Sequence, residues 1–110
     1  MKFTSCQVEM HKIVVTYRYD PVCDGKSDPR ICTRDFDTEC IHTSGEERIR
    51  DLCRDAVEWI AGQIEWCRDR CESQIIPGFN PEYRFISATL DGMAITLEDM
   101  RRRAAGKWWW

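Results

Sequence analysis

Cys23, Cys32, Cys40 and His42 are the side chains best suited to chemistry here, because thiolate and imidazole donors in a set of four suit a tetrahedral zinc ion. Their spacing speaks against it. Eight, seven and one residues intervene, and the set contains no CxxC knuckle. No structural zinc is expected, nor any other cofactor. Cys40 and His42 stand two apart and would share one side of a strand, the outline of a nucleophile and its base. No third group is visible to orient the imidazole. Asp20, Asp24 and Asp28 lack the alternating spacing and distal glutamate of a calcium loop, and read as turn caps. The chain has two histidines and none of the G-x-S-x-G, G-x-x-x-x-G-K-[ST], H-E-x-x-H or G-x-G-x-x-G patterns. Acids on the long helical segment have basic neighbours, such as Glu46 with Arg50, Asp51 with Arg54 and Arg68 with Glu72, which describes a solvated face. The expectation is a protein that is not an enzyme.

The other thiols fall on a helix. At about 100° per residue, Ile49, Cys53, Ala56, Val57, Ile60, Ile64, Cys67, Cys71 and Ile75 lie within roughly 40° of the Cys53 direction. Free cysteines on such a stripe are read as small buried hydrophobes. A second patch about 120° away holds Leu52, Trp59, Gly62 and Trp66. A glycine in mid-helix costs roughly 1 kcal/mol relative to alanine, so Gly62 is read as a place where another backbone approaches. Trp59, Gly62, Trp66 and Arg70 are therefore expected to bind a partner, most simply a second copy in a homodimer crossing near Gly62. The competing cover is the C-terminal helix or the tail. That tail joins Arg101, Arg102 and Arg103 to Lys107, Trp108, Trp109 and Trp110, a cationic and aromatic mixture expected to dock on protein.

Composition narrows the partners. Nineteen acids against sixteen bases leave a net charge of −3, without the basic excess of a nucleic-acid-binding domain. No apolar run approaches the ~18 residues of a membrane-spanning helix. The first residues carry no apolar export segment, so a cytoplasmic chain with reduced thiols is expected, although seven cysteines are many for 110 residues.

The elements that must position these groups follow from periodicity. Residues 2–19 and 30–36 favour strands, and a change of phase in the first points to a bulge near His11 and Lys12. Residues 20–29 are rich in turn formers. A capping box of Ser44 and Glu47 opens the helix of residues 45–75, and Pro77-Gly78 stops it. Residues 83–90 and 93–95 form a hairpin around Asp91-Gly92, and Thr96 caps a short last helix. The predicted fold is α+β in the order β-β-α-β-β-α, with an antiparallel sheet of about four strands packed on one long helix in a single domain, residues 1–110.

Cys40, Thr43 and Gly45, followed by a helix through Ala56, resemble the cysteine-threonine-glycine turn and alanine-rich helix of HicB-type antitoxins. Arg34-Asp35-Phe36-Asp37-Thr38 stands where that family has Pro-Asp-Leu-Pro-Gly, so no residue roles carry over. The resemblance implies a module that binds a toxin or contacts nucleic acid through Arg101, Arg102 and Arg103. In its size and lack of an enzyme signature the chain is also similar to small phage-encoded inhibitors, anti-CRISPR proteins among them. The expectation taken forward is a small binding protein that inhibits or regulates a larger macromolecule, with a protein as its target.

Overall fold

The parity of the first strand sets the buried face. In the computed structural model, which describes residues 10–37 and 45–105 (45–47 by backbone alone), β1 (Lys12–Asp20) turns Ile13 and Val15 fully inward. Its neighbours are β2 (Arg30–Asp37) and β3 (Glu82–Leu90), and β4 (Met93–Ile95) completes an antiparallel sheet in the order β2-β1-β3-β4. The long helix α1 (Gly45–Ser73) lies across one face, and the short helix α2 (Leu97–Ala104) packs beside it. The fold is α+β in the predicted order. Among the described residues, no helix is long and apolar enough to cross a membrane.

On the covered face Ile13 sits between Phe36 and Leu90, Val15 between Arg34 and Ala88, and Tyr17 between Cys32 and Phe85. Tyr83 and Phe85 differ in parity from Ala88 and Leu90, yet all four pack on the core. A register shift opposite Thr16 and Tyr17 reconciles them and leaves Ile86 as the extra residue, 45% exposed. This bulge is a separate feature from the phase change expected near His11 and Lys12. Cys6 and Val8, which prompted it, lie outside the described residues.

Leu52, Cys53, Ala56 and Ile60 of α1 close the core over the sheet, and Met100 of α2 seals its flank with no exposure at all. Thr96 caps α2 as expected, its hydroxyl accepting from the Asp99 N–H at 3.0 Å. Asp91 and Gly92 both take positive φ, 53° and 86°, as a two-residue I′ hairpin requires. The Ser44 cap lies outside the described residues.

The helix ends at Ser73, earlier than the apolar stripe suggests, and Ile75 is 68% exposed. Gln74 takes a left-handed φ of 49° and stitches the turn with its side chain. Its amide donates to the Cys71 carbonyl and to Asn80 Oδ1, each at 3.0 Å, and its Oε1 accepts the Gly78 N–H at 3.0 Å. This turn is bound to the loop after β1. Asp24 N–H donates to the Gly78 carbonyl at 2.9 Å, and Asn80 N–H to that of Val22 at 2.7 Å. Gly78, at φ 82°, lies so close to Asp24 that a side chain there would strike its carboxylate. Buried Asp20 organises the same loop. Its carboxylate accepts from the Ser27 hydroxyl, the Asp28 N–H and the Arg18 guanidinium, and these hold it below the usual carboxylate range against the opposing effect of burial.

Tyr83 is a polar misfit in the core. It stacks on Tyr17 at 5.2 Å, while its buried hydroxyl finds no hydrogen-bond partner among the described residues. Burial pushes its pKa up to about 12. Tyr83→Phe is therefore expected to leave thermal stability unchanged or to raise it, since an unsatisfied buried hydroxyl costs about 1–3 kcal/mol. A clear drop in the melting midpoint would show that the hydroxyl is satisfied after all.

Candidate functional site

Trp59 and Trp66 stand two turns apart on α1, and the residues opposite them give them different roles. Trp59 is half-buried and meets Tyr17, Phe36 and Tyr83 edge-on at centroid distances of 5.1, 5.8 and 5.8 Å. The Arg34 guanidinium lies 5.2 Å from its ring and 5.0 Å from that of Phe36. Trp59 was expected on a partner-facing patch with Leu52. Instead its own sheet covers much of it, and Leu52 is a core residue at 2% exposure. The reason is placement along the helix: both residues lie over the sheet, where strand side chains meet them.

Trp66 lies further along. Phe79 from the turn after α1 meets its edge at 6.0 Å, and Arg70, one helical turn on, places its guanidinium 5.2 Å from the ring. It remains 38% exposed. Between the two tryptophans, the position of a Cβ on Gly62 would have no heavy atom within 4 Å. The missing side chain leaves an open cleft of about 540 Å³ lined by Tyr17, Tyr19, Trp59, Gly62, Gln63 and Trp66. Tyr17 and Tyr19 reach it because they continue the inward parity of Ile13 and Val15 beyond the point where the aliphatic core ends. Burial raises the pKa of both, so they stay protonated at neutral pH and offer hydroxyls to a ligand.

Of the residues expected to meet a partner, Trp59, Gly62 and Trp66 line this cleft, and Arg70 lies beside it over the Trp66 ring. Sequence reasoning missed Tyr17, Tyr19, Gln63 and the neighbouring Arg34. The strand parity held the signal for the tyrosines, and the two-residue spacing from Phe36 held it for Arg34. The α2 arginines are elsewhere. Arg101 is exposed, Arg102 pairs with Asp99, and Arg103 is close enough to Cys53 to lower its thiol pKa. Cys53 precedes Trp66 by roughly 20 Å of helix axis at 1.5 Å per residue. Trp108, Trp109 and Trp110 lie outside the described residues.

Among the described residues, no thiol lines the cleft. Cys53 and Cys67 are buried and Cys71 half-buried, with its Sγ donating to the Pro81 carbonyl at 3.5 Å. Burial pushes Cys53 up to about 11 despite Arg103, and raises Cys67 with help from Cys71 and Glu82. Exposed Cys23 is therefore expected to react with a thiol reagent in the native protein, and Cys53 and Cys67 only on unfolding. Native labelling of Cys53 at the rate of Cys23 would contradict the packing described. Cys23 lies in the loop after β1 and Cys32 beside Tyr17 on β2, whereas Cys40 and His42 lie outside the described residues. Among the described residues, no group of three or more histidine, cysteine or carboxylate side chains is placed to hold a metal.

No protein-family model, curated protein or solved structure matches the chain.

Proposed function

We propose that this chain is a small non-enzymatic binding protein that seats on a larger protein and inhibits or regulates it by occupying a surface the target needs. The observation that carries the reading is Trp66, 38% exposed on a well-formed helix beside an uncovered glycine and an aromatic cleft. Tryptophan, tyrosine and arginine dominate the energetics of protein interfaces because a few such anchors remove large area from water at low entropic cost. The cleft supplies tryptophan and tyrosine, and Arg70 stands beside it, braced on the Trp66 ring. Its groups are rings, hydroxyls and one amide, suited to complementarity and not to bond making.

Two variants test this. Gly62→Leu projects into the open cleft mouth, where its Cβ meets no heavy atom within 4 Å, and should leave the fold intact or stabilise it by up to about 1 kcal/mol. Trp66→Glu removes the anchor from an exposed position. Both are expected to keep the wild-type circular dichroism spectrum and to lose the protein that the immobilised wild-type chain retains from host lysate. Variants that retain the same protein at wild-type levels would refute the cleft as the binding site.

A further inference from the structure

The outer side of α1 carries a pattern that the cleft does not explain. Asp51, Asp55, Glu58, Gly62, Glu65, Asp69 and Glu72 recur at alternating intervals of four and three residues, and all seven are exposed. A period of 3.5 keeps them nearly in line along the helix. Every position is an acid except Gly62, which opens the line onto the cleft. A shallow groove on this side, lined by Glu65, Arg68, Asp69 and Glu72, shares Gly62 and Trp66 with the aromatic cleft.

The neighbouring arginines are already engaged. Arg54 pairs with Asp51 at 3.1 Å, Arg68 with Glu65 at 3.3 Å and Arg70 with Asp69 at 3.5 Å. Asp55, Glu58 and Glu72 make no ion pair among the described residues. Three uncompensated carboxylates thus remain along about 25 Å of helix, at either side of the glycine.

We infer that the occupant of the cleft is a basic polypeptide segment in which an apolar anchor adjoins lysine or arginine residues. The inference rests on the cleft being a protein-binding site. The anchor enters among Tyr17, Tyr19, Trp59 and Trp66, the chain crosses α1 over Gly62, and its cations lie on the acidic line. Arg34, whose guanidinium lies over Trp59, repels cations near that ring and so favours placing the basic part along the acidic line of α1. A second copy fits poorly, because two α1 helices crossing at Gly62 bring Glu58 and Glu65 of each against those of the other.

The test uses the full chain and three fluorescent peptide probes that share one tryptophan-leucine anchor, flanked by lysines, glutamates or serines. Anisotropy at low salt is expected to show the lysine probe binding at least about tenfold tighter than the glutamate probe, with the gap closing as salt rises. The Asp55→Asn, Glu58→Gln, Glu72→Gln triple variant alters only exposed carboxylates outside the ion pairs and should weaken the lysine probe by about tenfold. Equal binding of all probes, lost in Trp66→Glu, would overturn the basic partner and leave the cleft reading standing. Lysine-probe binding insensitive to Trp66→Glu, or no binding of any probe, would also overturn it. So would a dimer that Gly62→Leu dissociates.

Discussion

Trp59→Ala is expected to destabilise the protein by about 2–4 kcal/mol, whereas Trp66→Ala should cost less than about 1 kcal/mol. Truncating a buried tryptophan costs about 3–5 kcal/mol, and the lower range allows for the partial exposure of Trp59. Its loss would remove edge contacts with Tyr17, Phe36 and Tyr83 together and strip the support beneath Arg34. Among the described residues, Trp66 meets one ring, that of Phe79, and one guanidinium. Urea unfolding followed by circular dichroism separates the two. Equal losses would mean that Trp66 belongs to the core and that the cleft is misdrawn. A small loss at Trp59 would remove its contacts with the sheet from the account.

The second large effect sets Ile60 against Ile64. Ile60 is 2% exposed against the sheet, and Ile60→Ala should cost about 2–5 kcal/mol through lost transfer energy and the cavity left behind. Against a total stability of about 5–15 kcal/mol for a domain of this kind, that loss brings the chain near unfolding at elevated temperature. Ile64, one turn on, is 39% exposed, and Ile64→Ala should cost less than about 1 kcal/mol. Thermal melts of the pair check this. Comparable shifts would show that the apolar stripe is buried along its whole length.

These contrasts mark what a helical wheel can and cannot tell. Element order was legible because each local signal agreed with its neighbours: the inward parity of Ile13, Val15 and Tyr17, the Asp91-Gly92 turn and the Thr96 cap. The wheel gave the direction of Trp59 and Trp66 around the axis, about 20° apart at 100° per residue. It could not say what stands opposite each. A helix of 29 residues extends about 43 Å, and a nine-residue strand about 30 Å. Residues that share a stripe therefore meet the core at one place and solvent at another. The same blindness applied to Ile75, which continues the periodicity after Gln74 has already turned the chain. The β3 bulge was hidden differently. Ile86 is apolar and fits the parity of Ala88 and Leu90, so nothing in residue type marked it as the one to expel. The site was legible on the helix and not on the strand, because Tyr17 and Tyr19 read as ordinary strand residues until α1 is laid beside them.

The Trp66 face of α1 is proposed as the surface on which another protein docks. Site-specific photocross-linking measures this most directly, with a benzophenone amino acid at position 66 and, as control, at Ile31, which is 64% exposed on β2. Expressed in the native host, the position 66 chain is predicted to form one discrete adduct with a different protein, and the position 31 chain none of that mass. No adduct at 66, the same adduct from both positions, or an adduct with a second copy of this chain alone would contradict the account.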